Sequence, residues 1–132
     1  MLKIDDSFIT GIDDIDAQHK FLFDAINSLA NFNNNRENLW FVICEIEEYA
    51  SVHFQTEEKY MIDFNYPHID DHIKEHRAFS KRYNVLKEEL TEHGMTDDFL
   101  ERLRFFLVSW IIAHYTNIDI KMVNFIKSTK SL

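Results

Sequence analysis

The chain has 132 residues, 45% of them apolar and 14% aromatic, with two glycines, one proline and one cysteine. That length supports one domain, 1–132, with a core that needs no disulfide, and the scarcity of turn formers favours long helices over many short strands. A formal charge of −9, from 23 acidic against 14 basic residues, repels phosphate backbones and anionic lipid and excludes nucleic acid as a partner class.

The opening residues, MLKIDDSFIT, carry early acids and no apolar segment of the kind that directs export. The first helix is expected from about Asp13 to Asn31, with a buried stripe of Ile15, His19, Leu22, Ile26 and Leu29, before the polar stretch NNNREN. The second is expected from about Glu37 to Phe64, closed by NYP, with a stripe of Leu39, Ile43, Ile46, Ala50, His53, Glu57, Tyr60 and Phe64. Cys44 lies on this helix and reads as a packed thiol, since free cysteine usually behaves as a small hydrophobe. The third helix runs from about Ile69 to Glu92, closed by His93 and Gly94. Its stripe is Ile69, His72, His76, Phe79, Tyr83, Leu86 and Leu90. The fourth starts near Thr96 to Asp98, a good N-cap region, and reaches Tyr115 or beyond, with Phe99, Leu103, Leu107, Trp110 and His114 on one face. A short C-terminal piece, DIKMVNFIK, has enough apolar residues to pack back. The longest apolar run, FFLVSWIIA at 105–113, is too short to span a bilayer. Short loops between long helices predict an all-α, antiparallel up-down-up-down four-helix bundle, soluble and cytoplasmic, with no membrane partner.

Every stripe that should be apolar is interrupted by histidine, and the second also by glutamate. Two ionisable groups such as His53 and Glu57 on a buried face cost stability unless something between them compensates. In an antiparallel bundle the starts of the first and third helices adjoin the ends of the second and fourth. His19, His53, Glu57, His72, His76 and His114 then fall in one layer. Pairs spaced i, i+4, as in His53/Glu57 and His72/His76, share a helix face with Cβ atoms ~5–6 Å apart and can approach one metal or two adjacent ones. Five imidazoles and a carboxylate exceed the four ligands of a tetrahedral zinc, so two metals fit better. Bridging them calls for a second carboxylate, and Asp119 is the candidate. Five residues from His114 is a poor angular match for a regular helix, which predicts distortion or termination near Thr116 to Asp119. His68, beside Pro67 at the helix entrance, and the loop residue His93 are read as outside the row. Asp70, Asp71 and Glu75 are read as an acidic helix start and solvent face, with the alternative that one of them orients an imidazole from behind.

Two other metal chemistries match less of the chain. HIKEH at 72–76 fits the H-x-x-E-H protease pattern but leaves His19, His53, Glu57 and His114 unexplained. A ferritin-like oxidase needs paired Glu-x-x-His motifs, and none occurs.

His19 in DAQHK, HxxxE at 53–57, HxxxH at 72–76 and HxxxxD at 114–119 together resemble the hemerythrin signature. The resemblance spans essentially the whole chain, through GIDDIDAQHKFLFDAIN, YPHIDDHIKEHRAF and SWIIAHYTNID. It implies a non-haem centre of two iron ions bridged by Glu57, Asp119 and an oxo or hydroxo group. His72, His76 and His114 would serve one iron, and His19 and His53 the other, whose open position would take O2. The implied role is reversible O2 binding for carriage, storage or delivery rather than enzymatic turnover. An O2 or redox sensor acting through a partner, and an enzyme consuming peroxide or nitric oxide, are the alternatives. The resemblance further places Ile112 and Tyr115 near the O2 pocket, with Phe23 and Trp110 as neighbours. Tyr115 departs from the aliphatic residue of many relatives. It is expected either to pack with its hydroxyl at the surface or to reach toward the ligand and narrow its channel.

Overall fold

The computed structural model describes residues 9–29 and 36–130. Its elements are α1 (Asp13–Ser28), α2 (Arg36–Asp63), α3 (Ile69–His93), α4 (Asp97–Ala113), a π-helical turn (His114–Asp119) and α5 (Ile120–Lys130). The fold is the expected all-α four-helix bundle, and no strand occurs among the described residues. None of the described helices is long and apolar enough to cross a membrane.

Local chemistry sets the helix ends. The carboxylate of Asp16 accepts hydrogen bonds from the Thr10 amide at 2.8 Å, the Thr10 hydroxyl at 2.7 Å and the Gly11 amide at 3.1 Å, strapping the entering segment onto the first turn of α1. The predicted end of the first helix, residues 30–31, lies outside the described residues. After α2, Asn65 takes a positive φ of 54° ahead of Pro67, a reversal into α3 that asparagine tolerates better than most residues. Gly94, at φ 78°, closes α3, and the Thr96 side chain caps α4 by accepting from the Phe99 amide at 3.0 Å.

The stripes read from the sequence are largely the buried faces. Two drifts occur. At the end of α2 the buried position belongs to Met61, while Tyr60 and Phe64 are half-buried and the Tyr60 hydroxyl reaches Asp14 at 3.0 Å. Near the end of α4 it belongs to Ile111, with Trp110 half-buried. In each case the buried face steps on by four residues, from Glu57 to Met61 and from Leu107 to Ile111, where the expected stripe steps by three; a repeat of 3.6 residues lies between the two steps.

The C-terminal piece is helical but does not fold back as a separate element. The chain runs on from α4 through the π-helical turn into α5 without a break. Met122, Val123 and Ile126 of α5 pack with Ile12, Ile15, Met61 and Tyr66 in a small apolar cluster at one end of the bundle. A larger one, with Leu22, Ile26, Ile43, Tyr83, Leu103 and Leu107 among its members, fills the other end. Between them lies a buried polar layer of His19, His53, Glu57, His72, His76, His114 and Asp119.

Candidate metal centre

Each side chain reaches the layer because of where it sits on its helix. His19 and the His72/His76 pair lie near the starts of α1 and α3, and His53/Glu57 toward the end of α2. His114 and Asp119 open and close the π-helical turn. In a regular helix five residues subtend about 500°, which would leave Asp119 roughly 140° away from His114. The wider turn removes that offset: the Ile120 amide bonds to the Tyr115 carbonyl, an i to i+5 bond. His114 Nε2 then lies 2.9 Å from Asp119 Oδ1. Single π-helical turns of this kind recur at functional sites.

The seven side chains form two overlapping groups of potential ligand atoms, each within 4.8 Å of one another: Glu57, His72, His76, His114 and Asp119, and His19, His53, Glu57 and Asp119. The carboxylates belong to both, and their oxygens divide between them. Glu57 Oε1 faces His76 at 3.0 Å and His72 at 3.5 Å, while Oε2 faces His53 at 3.5 Å. Asp119 Oδ1 faces His114 at 2.9 Å and His72 at 3.0 Å, while Oδ2 faces His19 at 3.5 Å.

These contacts do not satisfy the groups that make them. His72 Nε2, His114 Nε2, Glu57 Oε2 and both oxygens of Asp119 are buried without hydrogen-bond geometry to any partner, despite the short distances. Groups of this kind in a dry interior are strongly destabilising when left alone, and native proteins rarely keep them so. Nitrogen and carboxylate donors aimed at common centres fit cations of the transition series, which would complete both groups. Ring stacking fixes the aim. Phe54 lies on His76 at 4.0 Å between centroids, Trp110 on His114 at 4.3 Å and Tyr115 on His19 at 3.7 Å.

Charge within the cluster follows from burial and crowding. Burial, reinforced by His19, lowers the His53 pKa to about 3. Burial and His72 lower that of His76 to about 2, so both imidazoles stay neutral, the form that binds metal. Burial alone would also lower His114, but the carboxylates of Asp119 and Glu57 together outweigh it and raise the value to about 9. Asp119 is the counterpart: burial opposes its ionisation, yet His114 holds it well below the usual carboxylate range. Glu57 is pushed up by burial and by the neighbouring charge of Asp119.

All seven residues singled out as ligands in the sequence therefore meet. His68 and His93 are exposed, and Asp70, Asp71 and Glu75 belong to neither ligand group. The pocket residues fare unevenly. A nearly enclosed apolar cavity adjoins the layer, with a free volume of ≈10 Å³, room for about one water-sized molecule. Trp110 and Tyr115 line it, together with Leu22, Phe54, Leu107 and Ile111. Phe23 is not part of the wall but is buried behind it, 5.6 Å from the Tyr115 ring. Ile112 is 40% exposed and is a correction: its neighbour Ile111 takes the inward position, since one residue turns a helix by about 100°. Tyr115 does not carry its hydroxyl to the surface; the whole residue is 2% exposed, and burial pushes its phenol well up.

Sequence reading missed Gln18 and Glu58, the groups behind two of these histidines. Gln18 Oε1 lies 2.7 Å from His53 Nδ1, and Glu58 Oε2 lies 2.9 Å from His76 Nδ1. Each sits next in sequence to a residue of the layer, and that adjacency was the available signal.

Residues 10–126 match the family described as the hemerythrin HHE cation binding domain. Bacteriohemerythrin of Pseudomonas aeruginosa is 30% identical over 128 residues, covering 96% of this chain and 82% of that protein. Bacteriohemerythrin of Clostridium acetobutylicum is 29% identical over 120 residues, covering 86% and 92%. A crystal structure of wild-type hemerythrin superposes with a TM-score of 0.82 at 22% identity, covering 96% of this chain and 97% of that one. A match running through every element that contributes to the buried polar layer makes this chain a member of the hemerythrin family.

Proposed function

We propose that the chain binds O2 reversibly at a non-haem di-iron centre and serves as a carrier, store or delivery protein. The observation that carries this reading is the division of the carboxylate oxygens: Glu57 and Asp119 each present one oxygen to the three-histidine group and the other to the two-histidine group. That is the arrangement two bridged cations require. When bound, the iron pair supplies the electrons that O2 takes up on binding and returns on release.

The chain's own residues do the rest. The group with His72, His76 and His114 offers five side chains, and the group with His19 and His53 offers four. Fewer protein donors on the second side leave room for an external ligand there. Five imidazole donors, each neutral once it holds a cation, favour iron(II) more than a carboxylate-rich site would, so complete oxidation is less strongly driven. The apolar cavity beside the layer has the size of a small gas molecule, and its walls include Phe54, Leu107, Ile111 and Trp110. The names of the relatives support the same reading, since each is a hemerythrin or bacteriohemerythrin.

The test is metal content with the visible spectrum of the reduced protein under argon, after air, and under argon again. Two irons per chain and a charge-transfer band that appears in air and fades under argon are expected. One zinc, or no metal, would overturn the reading. A second reading, consumption of peroxide or nitric oxide, is favoured by the Tyr115 ring lying on His19 at the four-donor side. Rapid autoxidation in air together with sustained turnover of peroxide or nitric oxide when a reductant is supplied, abolished in Tyr115→Phe, would replace carriage by that activity.

A further inference from the structure

The imidazoles of the layer turn their Nε2 atoms inward, but what lies behind each ring differs. Behind His53 is an amide. Gln18 Oε1 sits 2.7 Å from His53 Nδ1, and its orientation is forced: Gln18 Nε2 donates to the Thr56 hydroxyl at 3.0 Å, whose own proton goes to the Val52 carbonyl at 3.0 Å. Only the amide oxygen is left to face the ring, so Nδ1 carries the proton and Nε2, 3.0 Å from His19 Nε2, is the unprotonated nitrogen. Behind His76 is a carboxylate. Glu58 Oε2 lies 2.9 Å from His76 Nδ1 and can only accept, which fixes the same tautomer. His19, His72 and His114 have buried Nδ1 atoms with no hydrogen-bond partner.

An amide oxygen and a carboxylate do not pull equally on an N–H. A charge-assisted hydrogen bond is roughly twice as strong as a neutral one. Drawing the Nδ1 proton toward a carboxylate also makes the imidazole a stronger donor at Nε2. Glu58 is about one-third exposed, so solvent screens part of its charge, but its contact with the ring is direct and the ring itself is buried.

We infer that Gln18 and Glu58 are positioning residues that fix the tautomers of His53 and His76 and make the two halves of the centre electronically unequal. The half containing His76, backed by a carboxylate, favours the ferric state more than the half containing His53, backed by an amide. This rests on the di-iron reading above, and it adds that the asymmetry lies behind the ligands as well as in their number.

Positioning and charge separate experimentally. Wild type, Glu58→Ala, Glu58→Gln, Gln18→Glu and the double exchange Gln18→Glu/Glu58→Gln are each loaded with zinc to measure affinity and the Nδ1 proton resonances, and with iron to measure reduction potentials. Glu58→Ala is expected to lower zinc affinity by ~10–100-fold and to lose the sharp His76 Nδ1 signal. Glu58→Gln restores both, because an amide oxygen still accepts from Nδ1, but leaves the potential more positive than wild type. Gln18→Glu shifts the potential negative, and the double exchange narrows the difference between the two halves relative to wild type. A purely structural role would not separate affinity from potential in this way. Wild-type potentials in both Glu58→Gln and Gln18→Glu would overturn the inference while leaving the di-iron reading standing. Fewer than two zinc ions in the wild-type chain would overturn both.

Discussion

The polar layer and the apolar core beside it are equally buried but obey different rules. His53 and Glu57 have no exposed surface, and neither have Leu39 and Leu107. The core residues each lose water and gain neighbours independently, so their contributions are graded and divisible. The layer residues gain nothing from burial by themselves; an unpaired ionisable group there is a liability that only its partners and a cation remove. One region should therefore tolerate damage in proportion to the atoms removed, and the other should fail as a unit.

The largest expected effect tests that difference directly. Glu57→Ala removes a side chain shared by both ligand groups, and both metals should be lost together. At free metal about 1,000-fold above its dissociation constant, each site contributes about 4 kcal/mol to folding. Chelation of the wild-type protein should lower its urea midpoint, while Glu57→Ala should start low and show no further response to chelator. Metal analysis with paired unfolding curves checks this, and a variant that kept two irons at wild-type stability would remove Glu57 from the centre. Leu107→Ala is the matched core lesion. Leu107 has no exposed surface in the larger apolar cluster, and truncation should cost about 2–5 kcal/mol. Metal content should stay unchanged. Loss of iron in Leu107→Ala would mean that the two regions are not separable.

The same difference explains what could be read from the sequence. Polar interruptions of an apolar stripe are conspicuous because burial makes them costly, so His19, His53, Glu57, His72, His76 and His114 stood out against their helices, whereas Asp119 emerged only from the need for a second carboxylate, its i to i+5 spacing from His114 demanding a distorted turn. The apolar neighbours were less legible. Ile111 and Ile112 are the same residue type one step apart, and nothing in composition says which faces inward; a small phase error along α4 decided it. Met61 displaced Tyr60 for the same reason. Gln18 and Glu58 look like ordinary polar surface residues in one dimension, and only the packing of α1 on α2 and α2 on α3 sets them behind His53 and His76.

A pH comparison sharpens the contrast without any metal. In the iron-free chain His53 has its pKa lowered to about 3 from an ordinary 6.5. Below pH 6.5 the unfolded chain takes up a proton at this position that the folded chain refuses, so the stability tied to neutral His53 is present above 6.5 and is lost as pH falls toward 3. In His53→Gln that loss is absent. Urea unfolding of both iron-free proteins should show wild type weakening relative to the variant by up to about 1.4 kcal/mol per pH unit across that window. A difference independent of pH would mean that His53 is not held neutral by burial.

The smallest effect belongs to a polar contact inside the apolar region. The Tyr83 hydroxyl donates to the Ile43 carbonyl at 2.9 Å, joining α3 to α2 in the larger cluster. Tyr83→Phe deletes the donor, but the carbonyl lies within a long helix and keeps its backbone partner four residues on, so no buried acceptor is orphaned. The cost should be about 1 kcal/mol, the net worth of an ordinary hydrogen bond, with two irons retained. Removing one group from the layer leaves several others unsatisfied, whereas removing one from this contact leaves none. A Tyr83→Phe variant that unfolded as readily as Glu57→Ala would show instead that the α2–α3 contact and the ligand layer form one cooperative unit.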